Sequence, residues 1–131
     1  MSDKVIYPDR VEYTLNGKFH RENGPALEYT DGEKHWYING IPHREGGPAK
    51  EYTNGNKFWY LRGFSHREDG PAIEFANGDK FWYLHGRRHR ENGPAVERAK
   101  GQKEYWINGG RLDFITSDQM LIYYLKYNFL M

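Results

Sequence analysis

Four times in this chain a histidine, an arginine and a glutamate stand in a row, beginning at His20, His43, His66 and His89, at a constant interval of 23 residues. An imidazole, a guanidinium and a carboxylate together can ligate a metal, move a proton at a phosphodiester, or hold an anion. If each interval is one two-stranded hairpin, strands about 4.8 Å apart set neighbouring copies about 10 Å from one another. Nitrogens bound to one zinc lie only about 2.1 Å from it, so the spacing argues against a shared metal. A catalytic set is normally used once, and so breaks a repeat rather than obeying it. No serine or cysteine nucleophile stands beside a histidine with an orienting acid, and no glycine-rich phosphate loop opens a helix. The sequence therefore predicts no catalytic residue, no metal and no cofactor. For most copies the expected role is structural, with the imidazole bonding a backbone carbonyl at its turn and the arginine bonding a carboxylate such as Glu22 or Glu28.

Departures from the repeat are more informative. Arg62 and His85 stand where the first repeat has Asn39, Arg87 where it has Ile41, and Arg88 where it has Pro42. With Arg67 and Arg90 in the same turn network they predict an anion site near repeats three and four, and a solvated basic edge is an equal alternative. Four tryptophans and eleven tyrosines exceed what a small core needs. Trp36, Trp59 and Trp82 are expected to form a buried ladder. Tyr37, Tyr60, Tyr83 and Trp106 fall on the wetter face, and Tyr83 and Trp106 join the arginines and His85 as candidate ligand contacts.

The full recurring phrase is His-Arg-Glu-x-Gly-Pro-Ala, and no insertion or deletion interrupts its period. Strict tiling of this kind points to one supersecondary unit stacked on itself. Asp31-Gly32, Asn54-Gly55 and Asn77-Gly78 read as two-residue type I′ hairpin turns, with Lys100-Gly101 a weaker copy. A second turn follows at Asn39-Gly40, Arg62-Gly63, His85-Gly86 and Asn108-Gly109. Pro25, Pro48, Pro71 and Pro94 open the first strand of each unit, where a missing N–H costs the ladder least. A two-residue first turn would oppose Leu27 to Trp36 and Tyr29 to Lys34. Leu27, Tyr29, Trp36 and Ile38 would then share the buried face. Val11 to Gly17 resembles a degenerate half-repeat that caps the first rung. Thr116 and Gln119 stand at capping-box spacing, which predicts a short helix over Asp118 to Leu130.

Composition narrows the classes. Lys and Arg number 19 against 18 Asp and Glu, a net charge of +1, which argues against a general nucleic-acid or anionic-membrane binder. The first repeat carries two basic and four acidic residues and the last carries five and three, so any basic surface lies toward the C-terminal end. The chain has no cysteine, hence no disulfide framework. It also has no apolar stretch near the roughly 20 residues of a membrane span. A cytoplasmic, single-domain protein is expected, with a half-repeat at 11–19, four repeats at 20–111 and a helical cap at 112–131.

The 23-residue unit, with its paired aromatic, its glycine and its following histidine, resembles the MORN repeat. His-Arg-Glu-x-Gly-Pro-Ala is similar to a divergent form common in phage and giant-virus proteins. The resemblance spans residues 11 to 111 and implies an all-β, repetitive antiparallel hairpin meander, a single-sheet solenoid. Arg and Glu after the histidine and Pro-Ala after the glycine depart from the usual repeat, and so weaken any carry-over of lipid binding. Two functions remain as expectations. One is a phage-type anti-defence protein that sequesters a nucleotide-derived signal without turnover. The other is a scaffold or inhibitor that binds a host protein, or itself, through the sheet face or residues 118–130.

Overall fold

The computed structural model describes residues 2–113 and Lys126. The helix expected over Asp118 to Leu130 lies, Lys126 apart, outside the described residues, and Leu112, assigned to the helical cap, is in the strand Gly110–Leu112. Residues 2–113 are all-β, with antiparallel hairpins joined into one open twelve-stranded sheet. Its repeated part is built from Leu27–Tyr29 with Lys34–His35, Lys50–Glu51 with Lys57–Phe58, Ile73–Glu74 with Lys80–Phe81, and Val96–Glu97 with Lys103–Ile107. On the N-terminal side Arg10–Leu15 pairs with Lys18–Phe19 and with Leu27–Tyr29. A further strand, Asp3–Ile6, pairs outside it and forms the edge. Each of the first three repeats then adds a small ribbon: Tyr37–Ile38 with Ile41–Pro42, Tyr60–Leu61 with Phe64–Ser65, and Tyr83–Leu84 with Arg87–Arg88. The His-Arg-Glu segments are loops.

The two turns of each unit differ, and the difference decides which side chains share a face. In the second turn both central residues have positive φ, as at Asn39 (50°) and Gly40 (77°), so this is the tight two-residue turn. In the first turn only the glycine does, as at Gly32 (103°). There the Tyr29 N–H donates to the Glu33 carbonyl and the Gly32 N–H to the Tyr29 carbonyl, enclosing Thr30, Asp31 and Gly32 in a three-residue loop with a glycine bulge. The side-chain oxygen of Asp31 accepts the Glu33 N–H at 3.0 Å, and Asn54 and Asn77 do the same one and two repeats on.

This corrects the expected register. Leu27 opposes His35 rather than Trp36, and Glu28 opposes Lys34. A slip of one residue moves a side chain to the other face, so the tryptophans leave the leucine face. Cross-strand neighbours on the leucine face run from Leu27 through His35, Lys50, Phe58, Ile73, Phe81 and Val96 to Glu104. Edge-to-face ring contacts join Tyr52, Phe58, Phe75 and Phe81 along it. Burial there pushes the phenols of Tyr37 and Tyr52 up, with nearby Glu33 adding to the rise at Tyr52. His35 is buried with Nε2 2.8 Å from Glu33 and no hydrogen-bond partner for Nδ1, a local cost of about 1–3 kcal/mol.

On the opposite face Glu28, Lys34, Glu51, Lys57, Glu74, Lys80, Glu97 and Lys103 alternate in sign rung after rung. Opposite charges directly across a ladder contribute roughly 0.2–1 kcal/mol per pair. Like charges would meet in a shifted register, so the row also helps to define the pairing.

The phrase His-Arg-Glu-x-Gly-Pro-Ala is explained almost residue by residue. The backbone N–H of Asn39 donates to Nδ1 of His20 at 2.9 Å, and Arg62, His85 and Asn108 donate likewise to His43, His66 and His89. The imidazole therefore accepts an N–H instead of donating to a carbonyl as expected, which puts its proton on Nε2. Each arginine stacks on the aromatic ring 8 residues before it: Arg44 lies 3.8 Å from the Trp36 ring, Arg67 4.0 Å from Trp59 and Arg90 4.0 Å from Trp82. Its Nη1 donates to the proline carbonyl of the same phrase, and Arg21 and Arg90 also reach Glu28 and Glu97 at 2.9 and 3.2 Å. Glycine precedes the proline because a Cβ on Gly70 would lie 2.8 Å from Cζ of Arg67. Alanine follows it because Ala26, Ala49, Ala72 and Ala95 are all 0 % exposed.

Candidate functional site

At the last repeat the leucine face changes character. Arg88 opposes Tyr83 in its ribbon and Arg111 opposes Trp106 in the terminal hairpin formed by Lys103–Ile107 and Gly110–Leu112, so each arginine shares a face with its aromatic partner. Nε of Arg88 donates to the Tyr83 hydroxyl at 3.1 Å, and its guanidinium lies 5.1 Å from the Trp106 ring and 5.4 Å from Phe81. Arg98 also stands 5.5 Å from Phe81. Among them sits Glu104, at the rung position held by His35, Phe58 and Phe81 in the earlier repeats.

Glu104 pairs with these cations by charge without a short hydrogen bond to them. It accepts a 3.0 Å hydrogen bond from Nε1 of Trp106, while the guanidiniums of Arg98 and Arg88 stand 3.6 and 4.0 Å away, beyond the usual 2.7–3.2 Å. Arg111 is held 3.5 Å from exposed Asp113. Three guanidiniums thus gather around one half-buried carboxylate beside an indole and a phenol. Guanidinium forks match phosphate and carboxylate oxygens, and aromatic faces take planar rings. The arrangement suits an anion attached to a flat ring.

Burial pushes the Glu104 carboxyl up, but the indole hydrogen bond and the charges of Arg111, Arg98 and Arg88 outweigh it and hold it below the usual carboxylate range. A carboxyl depressed in the folded state stabilises the fold above its unfolded pKa, and that contribution disappears as pH falls through the folded value. The melting temperature of Glu104→Gln should therefore lie below wild type at neutral pH, with the gap closing in acid below the ordinary glutamate range. Parallel curves at all pH values would contradict this account.

No family model and no curated protein matches this chain.

Of the residues singled out in the sequence, the structure brings together Tyr83, Arg88 and Trp106. Arg87 opposes Leu84 and so faces the other side from Arg88. Arg62 and His85 occupy positive-φ turn positions, where their backbone N–H groups serve His43 and His66; the His85 ring lies 4.4 Å from that of His66. Arg67 and Arg90 stack on tryptophans across the sheet. Trp36, Trp59 and Trp82 are half-buried under Arg44, Arg67 and Arg90 instead of forming a buried ladder. Sequence reasoning missed Arg98, Glu104 and Arg111. The signal was available, since Arg98 replaces an aromatic held by Tyr29, Tyr52 and Phe75 just where Glu104 replaces another, a paired introduction of opposite charges. Among the described residues no group of three or more His, Asp or Glu side chains is placed to hold a metal, and no helix is long and apolar enough to cross a membrane.

Proposed function

We propose that this chain is a non-catalytic binding protein that sequesters a nucleotide-derived signal, an anti-defence role of the phage type, at the cluster of Arg88, Arg98 and Arg111. The observation that carries the reading is that these guanidiniums surround a carboxylate whose own hydrogen bond goes to Trp106. Their donors keep capacity for phosphate oxygens, and Tyr83 and Trp106 provide surfaces for a base. The unit remains MORN-like in this reading: a single-sheet solenoid of four hairpins with a C-terminal cap, acting in the host cytoplasm. Its anion chemistry lies where the repeat is broken, since the repeated histidines and arginines are engaged in holding the fold.

A second reading is a scaffold or inhibitor that binds a protein or itself. It is favoured by Ile41 and Phe64, which are 48 % and 60 % exposed at equivalent ribbon positions, because neighbouring exposed apolar side chains mark contact surfaces. Native mass spectrometry before and after incubation with a cellular small-molecule extract separates the two. A discrete added mass, reproduced by titration with the identified nucleotide, is expected. A clean mass with no adduct would end the nucleotide reading and leave the scaffold.

A further inference from the structure

The face opposite the arginine cluster is ridged. Its Arg-Glu-x-Gly loops stand in a row, and four grooves of about 310, 510, 480 and 750 Å³ lie beside them in chain order. Tyr13, Trp36, Trp59 and Trp82 line them in turn. Neighbouring grooves share a wall: Arg44 and Glu45 border both the second and the third, and Arg67, Glu68 and Asp69 both the third and the fourth. The outermost charges are acidic, with the Glu68 and Asp69 side chains 84 % and 89 % exposed. The guanidiniums lie deeper, stacked on the tryptophans and bonded to proline carbonyls.

We propose that this face binds a basic, proline-rich peptide in the polyproline II conformation, one turn to each groove. Three observations meet in it. Two strands per repeat place grooves about 9.6 Å apart, and one polyproline II turn of three residues advances about 9.3 Å, so the mismatch over four grooves is about 1 Å. Aromatic-lined grooves between ridges are how such peptides are recognised, since the preformed helix loses little entropy on docking. The acidic rim complements basic side chains, which recur along one edge of a three-residue helix, and it repels nucleic acid. Having no internal hydrogen bonds, the helix can follow the twist of the sheet.

The test is a tryptophan-fluorescence titration with synthetic peptides of one to four Pro-Pro-Arg units, and with a Gly-Gly-Arg peptide of equal charge and length. Affinity should rise at least roughly tenfold from the one-unit to the four-unit peptide as grooves are engaged together. The flexible control should bind at least roughly tenfold more weakly, because it must lose its chain freedom on docking. The combined variant Glu22→Gln, Glu45→Gln, Glu68→Gln and Glu91→Gln, checked for unchanged circular dichroism, should weaken binding at least tenfold. Arg88→Ala on the other face should leave it unchanged, which keeps this proposal separate from the nucleotide reading. Equal binding of the two peptide types, or no fluorescence response to the four-unit peptide, would overturn it.

Discussion

Arg88→Ala should reduce affinity for a phosphate-bearing nucleotide by about 100-fold while leaving the sheet assembled. Arg88 is the residue on which the cluster converges: its Nε holds the Tyr83 hydroxyl and its guanidinium lies against Phe81, Tyr83 and Trp106. Truncation removes a charge-assisted donor pair to the ligand and loosens the phenol as well. Hydrogen bonds to charged groups contribute roughly 1.5–3 kcal/mol each, and about 2.7 kcal/mol corresponds to the predicted loss. The fold should tolerate the change because Arg88 lies at the end of a short ribbon and is only half-buried. Arg67→Ala and Arg90→Ala should behave in the opposite sense. They uncover Trp59 and Trp82 and release proline carbonyls, so melting temperature should fall while nucleotide affinity holds. Calorimetric titration and thermal denaturation of the three variants check this contrast. An Arg88→Ala protein that binds as wild type would remove the cluster from consideration.

Ala72→Leu should cost about 3 kcal/mol of stability, and the equivalent change at Ala49 a similar amount. Ala72 is 0 % exposed. Its N–H donates to Phe81 at 2.8 Å and its carbonyl accepts from Trp59 at 2.7 Å, so the backbone is tied on both sides and cannot retreat. It lies between Pro71 and Glu74, whose carbonyl and carboxylate the Arg67 guanidinium reaches at 3.2 and 3.5 Å. Overpacking a filled position typically costs 1–3 kcal/mol, and a leucine here would also lift the arginine from its tryptophan. Ala76→Leu is the control, being exposed in the turn of the same repeat, and should change stability by less than about 0.5 kcal/mol. Chemical denaturation of both variants decides the point, and equal midpoints would refute it.

The strict period, the turn glycines and the alternating side chains were enough to read a stack of antiparallel hairpins, because turn chemistry and strand pattern act within a few residues of chain. Register was not legible. Asp31-Gly32 is compatible with a two-residue turn or a three-residue loop with a bulge, and local propensity separates the two poorly. The charge row from Glu28 to Lys103 and the fit of each arginine between an aromatic ring and a glycine favour the second, and both involve residues from neighbouring repeats. One residue of slip exchanged the faces and moved Trp36 away from Leu27.

The candidate site divides in the same way. Tyr83, Arg88 and Trp106 were legible because they are aromatic or depart from the repeat. Glu104, two residues before Trp106 on one strand, and Arg98 were visible as breaks in the repeat, but Arg98 and Arg111 meet the others only through pairings across strands and between hairpins. Sequence alone determined the repeated unit, the absence of cysteine chemistry and the near-neutral charge, all properties of residues read singly or a few apart. Only the tertiary structure decided which arginines support the fold and which gather around Glu104, because a guanidinium's role depends on which face the register gives it and which neighbouring repeat it meets.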